Sequence, residues 1–250
     1  ISKDAVGTLA IDAASPTTVT IARPGQNARY TFSGTAGQQV SVIVSGNAMD
    51  DGDSTTNNYT YVYLYKPSDA SSSVGSTYLY TGTSSGTFDV TLPETGTYTV
   101  YVNPYQLDKG TLGLQVKSYV KGALTVDSST AINLSSGRNA RMSFVAEAGK
   151  GYGLAVTGLA FTPTGGGMTA TLRSADGTYL TQCSFSASGS CDLYPNFFAV
   201  AGTYLIDFDP SGANAAVFNA VISKDAAGTL AIDAASPTTV TIARPGPVSY

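Results

Sequence analysis

Histidine and tryptophan are absent from these 250 residues. Without histidine, no Ser-His-Asp or Cys-His nucleophile can be assembled, and a histidine zinc site is excluded as well. Charge is scarce: Asp, Glu, Lys and Arg together make up 12% of the chain, about half the usual share. The formal charge is −4 with no basic cluster, so nucleic acid is not an expected partner. No apolar run approaches the ~20 residues that a membrane-spanning helix needs. Glutamate occurs only as Glu94 and Glu147, each in a turn-like stretch. Nothing suggests the paired carboxylates, one with a raised pKa, that glycoside hydrolysis requires, and the expectation is a protein that is not an enzyme. No signal peptide is visible, and the chain starts inside a repeated motif, as a mature product or an excerpt would.

Gly, Ser, Thr, Ala and Tyr fill the space that charge leaves, and 42% hydrophobic residues suffice for real cores. The order of these residues is repetitive. "ISKDAVGTLAIDAASPTTVTIARPG" at 1–25 returns at 222–246 with one change, Val6 against Ala227. A weaker copy lies between them, where "GALTVDSST" (122–130) matches "GTLAIDAAS" (7–15). Further matches follow in order: "NARYTF" (27–32) with "NARMSF" (139–144), "TAGQQVSVIVSG" (35–46) with "EAGKGYGLAVTG" (147–158), and "GTYTVYVNP" (96–104) with "GTYLIDFDP" (202–210). Look-alike modules in series indicate an array. The expected division is a first module over 1–121, a second over 122–221, and the opening strands of a further repeat over 222–250. Short connections such as "SYVKGAL" favour a semi-rigid rod over loosely strung beads.

Each module reads as strands. "QQVSVIVS" (38–45) puts Val40, Val42 and Val44 on one face, and "GTYTVYVN" (96–103) does the same with Tyr98, Val100 and Val102. "RPGQN", "KPSDASS", "LPETG" and "NPYQLDKG" punctuate them as turns. No convincing amphipathic helix is present. The predicted fold class is all-β: tandem antiparallel β-sandwich modules, jelly-roll or immunoglobulin-like, in a rod.

Three segments, "ARYTFSGTAGQQVSVIVSG", "YVYLYKPSD" and "LPETGTYTVYVNPYQLDKGTLGLQV", taken in that order, resemble the bacterial pre-peptidase C-terminal domain. The second module keeps "ARMSFVAEAGKGYGLAVTG", "ATLRSADGTYL" and "AGTYLIDFDPSG" but has "FAVAGTY" in place of "LPETGTY". The resemblance implies a secreted β-sandwich without catalytic activity, either an accessory of secreted enzymes or a repeat of surface proteins.

Four features are candidates for function. Tyr59, Tyr61, Tyr63 and Tyr65 share one strand face, while Val62 and Leu64 share the other, which the family's rhythm places in the core. The second module has Gly167, Thr169, Thr171 and Arg173 at the matching positions, so the fold does not require the stripe. Tyrosine suits interfaces and sugar stacking, yet a tyrosine ladder also stiffens an exposed sheet; both readings stand. Cys183 and Cys191, the only cysteines, flank the polar stretch "SFSASGS" and are expected to form a disulfide across a hairpin. Asp50, Asp51 and Asp53 cluster around Gly52 and offer hard oxygen ligands to calcium, although the spacing is not that of an EF-hand; a solvated loop is the competing account. "LPETG" (92–96) has the form of a sortase signal, but a strand-like "TYTVYVN" follows it instead of an apolar span, so a turn is expected.

These observations lead to a structural protein, the repeat unit of an extracellular bacterial fibre or adhesin stalk at the cell surface, with a role in biofilm. Its partners would be other copies of itself, head to tail or lateral, and surface polysaccharide. Residues 222–250 would supply opening strands to a sandwich completed by other residues. The alternative is a carbohydrate-binding or secretion accessory module of a secreted hydrolase.

Overall fold

Alternating apolar and polar residues dictate strands, and strands fill the protein. The computed structural model describes residues 2–50, 52, 59–80, 85–226, 236, 237 and 239. The chain divides into two units, with the boundary between Tyr119 and Val120. In unit 1 the strands are β1 (Ala5–Thr8), β2 (Thr17–Ile21), β3 (Ala28–Gly34), β4 (Gln39–Ser45), β5 (Tyr59–Lys66), β6 (Asp69–Tyr80), β7 (Ser85–Thr91), β8 (Gly96–Asn103) and β9 (Gly110–Ser118). They form a five-stranded sheet in the order β1-β3-β8-β5-β6 and a four-stranded sheet in the order β2-β9-β4-β7.

Unit 2 repeats the plan. Its strands are β10 (Val120–Ala123), β11 (Ser129–Leu134), β12 (Ala140–Ala146), β13 (Tyr152–Thr162), β14 (Met168–Ser174), β15 (Tyr179–Phe185), β16 (Gly189–Leu193), β17 (Gly202–Pro210) and β18 (Ala215–Lys224). The sheet orders are β10-β12-β17-β14-β15 and β11-β18-β13-β16, each the counterpart of a sheet in unit 1. Among the described residues the one helical element is a 3-10 turn at Pro195–Phe198. The all-β expectation is therefore met, with one addition. In each unit the first strand lies parallel to the third, β1 on β3 and β10 on β12. A parallel pair needs a crossover, and β2 and β11 provide it by belonging to the opposite sheet.

Each unit has its own core. In unit 1, Val40, Val42 and Val44 of β4 meet Val62 and Leu64 of β5 and Tyr98, Val100 and Val102 of β8 in one buried cluster. In unit 2, Leu154 and Val156, Ala170 and Leu172, and Tyr204, Ile206 and Phe208 occupy the matching strands. Burying a large apolar side chain is worth about 1.5–3 kcal/mol, so clusters of this size are what fix the sheet faces.

Two repeated motifs have local causes. Asp12 and Asp127, from "AID" and "TVD", both adopt positive φ, 63° and 65°. Aspartate tolerates that region better than most residues. The Asp12 N–H donates to Val116 O at 2.8 Å and its carboxylate accepts the Ser118 N–H at 2.9 Å. The Asp127 N–H donates to Ile222 O, and its carboxylate accepts the Lys224 N–H at 3.2 Å. Each aspartate thus clamps the end of its unit's last strand. The "GTY" motif is a second device. The Tyr98 hydroxyl donates to Glu94 O at 2.7 Å and the Tyr204 hydroxyl to Val200 O at 2.8 Å, so a buried ring ties its strand to the preceding turn. Gly96 and Gly202 both have φ of 154°, outside the usual range of a residue with a side chain.

β9 ends at Ser118 and β10 begins at Val120, with Tyr119 alone between them. β18 runs past residue 221 to Lys224, and Ile222 is fully buried in unit 2. The first residues of the returning segment therefore complete the last strand of unit 2. The expectation for the rest of 222–250 falls largely outside the described residues.

Candidate functional site

The sheet order places β5 between β8 and β6, which carries the tyrosine stripe into a wider surface. One row crosses all five strands as Val6, Arg29, Tyr101, Tyr63 and Ser76. On either side of it, Tyr61 lies opposite Tyr78, Tyr59 opposite Tyr80, and Tyr65 opposite Thr99. The rings make one connected group. Tyr61 touches Tyr59 (4.8 Å between ring centres), Tyr63 (5.6 Å) and Tyr78 (5.9 Å). Tyr63 continues to Tyr65 (6.1 Å) and Tyr101 (6.4 Å), Tyr59 to Tyr105 (5.0 Å), and Tyr78 to Tyr80 (5.4 Å). Such contacts contribute about 0.5–1.5 kcal/mol each beyond burial.

Arg29 is the one charge in the row through Tyr63. Its guanidinium lies 4.3 Å from the centre of the Tyr101 ring, and its Nε donates to Asp4 Oδ2 at 2.8 Å. Crowding shows in the phenols. Burial, followed by the neighbouring tyrosines, pushes the Tyr63 hydroxyl above its ordinary pKa. Burial does the same to Tyr101, with Arg29 opposing it. Tyr80 is raised chiefly by Tyr78.

Unit 2 uses the same lattice positions for different chemistry. Its row reads Lys121, Arg141, Asp207, Thr171 and Gln182. Asp207 replaces Tyr101 and sits between two cations, accepting from Arg141 Nε at 2.5 Å and from Arg173 Nε at 2.7 Å. Thr169, Thr171 and Arg173 lie on this face; Gly167 precedes β14. An arginine holds its place in both units while the residue opposite it on the next strand changes from Tyr101 to Asp207.

The other expected sites resolve differently. Cys183 and Cys191 are bonded. The hairpin expectation needs correction: Cys183 is in β15, at the edge of the five-stranded sheet, and Cys191 is in β16, at the edge of the four-stranded one. The polar turn between them carries the chain from one sheet to the other, so the bond joins the two layers. Thr77 and Phe88 hold the matching positions of unit 1, judged by their partners Val62 and Val42. Asp50 makes an isolated bridge to Lys109, and its Oδ1 accepts the Gly52 N–H at 2.9 Å. Asp51 and Asp53 lie outside the described residues. "LPETG" is the β7–β8 connection, with Leu92 buried and the Glu94 carboxylate accepting the Ser68 N–H at 2.7 Å. Sequence reasoning missed Arg29 and Tyr101, whose strands β3 and β8 are distant from β5 in sequence, Tyr105, which follows β8 in a loop, and Tyr78 and Tyr80, whose register on the adjacent β6 is shifted by irregularities in the pairing.

Residues 26–104 match the bacterial pre-peptidase C-terminal domain. The match spans β3 to β8 and so contains the tyrosine surface except Arg29's partner Asp4 and Tyr105. Among solved structures, the chain is similar to the pre-peptidase C-terminal domain of collagenase from Bacillus anthracis, at 20% identity over 46% of this chain and 94% of that one, with a TM-score of 0.30. It is also similar to PliG of Aeromonas hydrophila, a periplasmic inhibitor of g-type lysozyme, at 17% identity over 45% and 98%, TM-score 0.30. A third similar structure is the tandem CBM51 pair of a family 98 glycoside hydrolase from Streptococcus pneumoniae, at 8% identity over 81% and 82%, TM-score 0.27. A comparison with curated protein sequences finds no match.

Proposed function

We infer that the protein is a non-catalytic, extracellular structural repeat, a segment of a bacterial surface fibre or adhesin stalk. One observation carries this reading: two units of identical strand order follow one another, and the sequence at the start of the first returns from the last strand of the second onward. An array extended by duplication of a unit pair has that form. The pre-peptidase C-terminal match of residues 26–104 fits a secreted setting, and we extend that family to unit 2 on its shared strand order. An antibody against this chain tests the reading on producing cells. The expected result is surface labelling and one very long polypeptide built of many 221-residue periods. A single copy of the pair joined to a protease or glycosidase domain would overturn it.

The tyrosine face supports a second reading, a module that binds neutral polysaccharide. Its central row offers aromatic rings and hydroxyls around one cation that Asp4 already pairs, which suits an uncharged, polyhydroxylated ligand. Affinity electrophoresis in neutral glycans would show retardation that Tyr61→Ser with Tyr63→Ser abolishes. Unretarded migration of the parent protein in every glycan removes this reading.

A further inference from the structure

We propose that the tyrosine face of unit 1 is a site of oxidative cross-linking, which gathers one-electron oxidation from the protein and delivers it to Tyr78 and Tyr80 for dityrosine bonding between copies. The composition leaves few competitors. There is no tryptophan or histidine. Both cysteines are tied in a disulfide. Met49, Met142 and Met168, the only methionines, are all buried. Tyrosine is therefore the residue from which an oxidant can most readily take an electron.

The arrangement gives such an oxidation a direction. Eight rings connect with centres 4.8 to 6.4 Å apart, close enough for electrons to exchange from ring to ring. A phenol that loses an electron becomes a strong acid and must shed its proton. Tyr63 and Tyr101 are half-buried and packed among other rings, so little water reaches them to take that proton. Tyr78 and Tyr80 are 53% and 48% exposed, so water can take the proton there and the neutral radical settles. Both lie on β6, the edge strand of the sheet, where a second copy can approach. Among the described residues, Tyr61 is the ring that joins this exposed pair to the others.

The chemistry balances with hydrogen peroxide as the oxidant and a haem peroxidase as its activator. Two tyrosines, one per copy, each give up one electron and the hydroxyl proton. The two radicals join through ring carbons beside the hydroxyls, and the hydrogen on each of those carbons moves to its oxygen, restoring the phenols. Hydrogen peroxide takes up the two electrons and two protons and leaves as two waters. This proposal does not depend on the fibre reading, because it requires only two copies in contact.

Unit 2 supplies the internal control. Tyr179 and Tyr194 are 54% and 60% exposed, as open as the pair on β6, and neither belongs to the connected group. The full chain is treated with peroxidase and hydrogen peroxide, and cross-linked dimers are digested and mapped by mass spectrometry. The expected bonds join Tyr78 or Tyr80 of one copy to Tyr78 or Tyr80 of another, with Tyr179 and Tyr194 sparingly used. Tyr61→Phe, which keeps the ring and removes its redox activity, should lower the dimer yield several-fold with both exposed tyrosines still in place. Tyr78→Phe with Tyr80→Phe should leave only the sparse dimers bonded through other tyrosines, and an unchanged melting curve would show that these variants fold. Bonds shared evenly with Tyr179 and Tyr194 would overturn the proposal, as would full yield in Tyr61→Phe. Dityrosine formed only within single copies would overturn its intermolecular part.

Discussion

Tyr63 has an aromatic neighbour before it and after it on its own strand, and a third on the next strand. A charge on its oxygen would face water on few sides and other phenols on the rest. That has a consequence for stability at high pH. Folding favours the protonated phenol of Tyr63, Tyr101 and Tyr80, since each pKa is raised above the ordinary 10.0. Their contribution is fully present below pH 10 and is lost as pH climbs through the raised folded values. A melting temperature that declines from about pH 10 upward, with tyrosinate absorbance appearing later in the folded than in the unfolded protein, is the expected result. Coincident titration of the two states would contradict it. At this scale the sequence was half legible: alternation showed that Tyr59 to Tyr65 share a face, but nothing local indicated that Tyr101 would pair with Tyr63 or Tyr78 with Tyr61.

At the level of elements, the rhythm of Val40, Val42 and Val44 or of Tyr98, Val100 and Val102 identified strands and their buried sides, because burial on one face imposes a period of two. The neighbours of those strands were hidden. Sheet order depends on crossovers such as β2, whose five residues leave one sheet for the other, and a two-residue period says nothing about which sheet a strand joins. The disulfide shows the same limit. Its spacing suggested a hairpin; its position between edge strands of opposite layers gives it a different task, holding the layers together at a rim where backbone hydrogen bonds cannot. Closing so short a loop is worth about 2–3 kcal/mol. Reduction should therefore destabilise unit 2 by roughly that amount while unit 1 keeps its stability. Urea unfolding with and without a reductant, read separately on each unit, checks this, and an equal loss in both would refute it.

For the molecule as a whole, the two cores share the plan but not the contents. Phe32 and Tyr98 stack in unit 1 as Phe144 and Tyr204 meet in unit 2, but unit 2 adds the rings of Tyr152 and Phe198 to that pair, where β4 of unit 1 offers the smaller Val40, Val42 and Val44. Among the described residues each cluster draws on its own unit, and the Asp127 carboxylate holds Lys224 of the last strand of unit 2. Residues 120–226 expressed alone should accordingly fold, with the strand-rich circular dichroism and cooperative melting of a single sandwich. A chain of that length that remains unfolded would mean that unit 2 draws its stability from elsewhere.

The single residue Tyr119 between β9 and β10 also bears on where the chain can be cut. A protease needs several consecutive residues free of a sheet to draw into its active site. Ser118 belongs to β9 and Val120 to β10, and the Tyr119 N–H itself donates to Gln39 O at 3.2 Å. Cleavage at this point must therefore first peel a strand from its sheet.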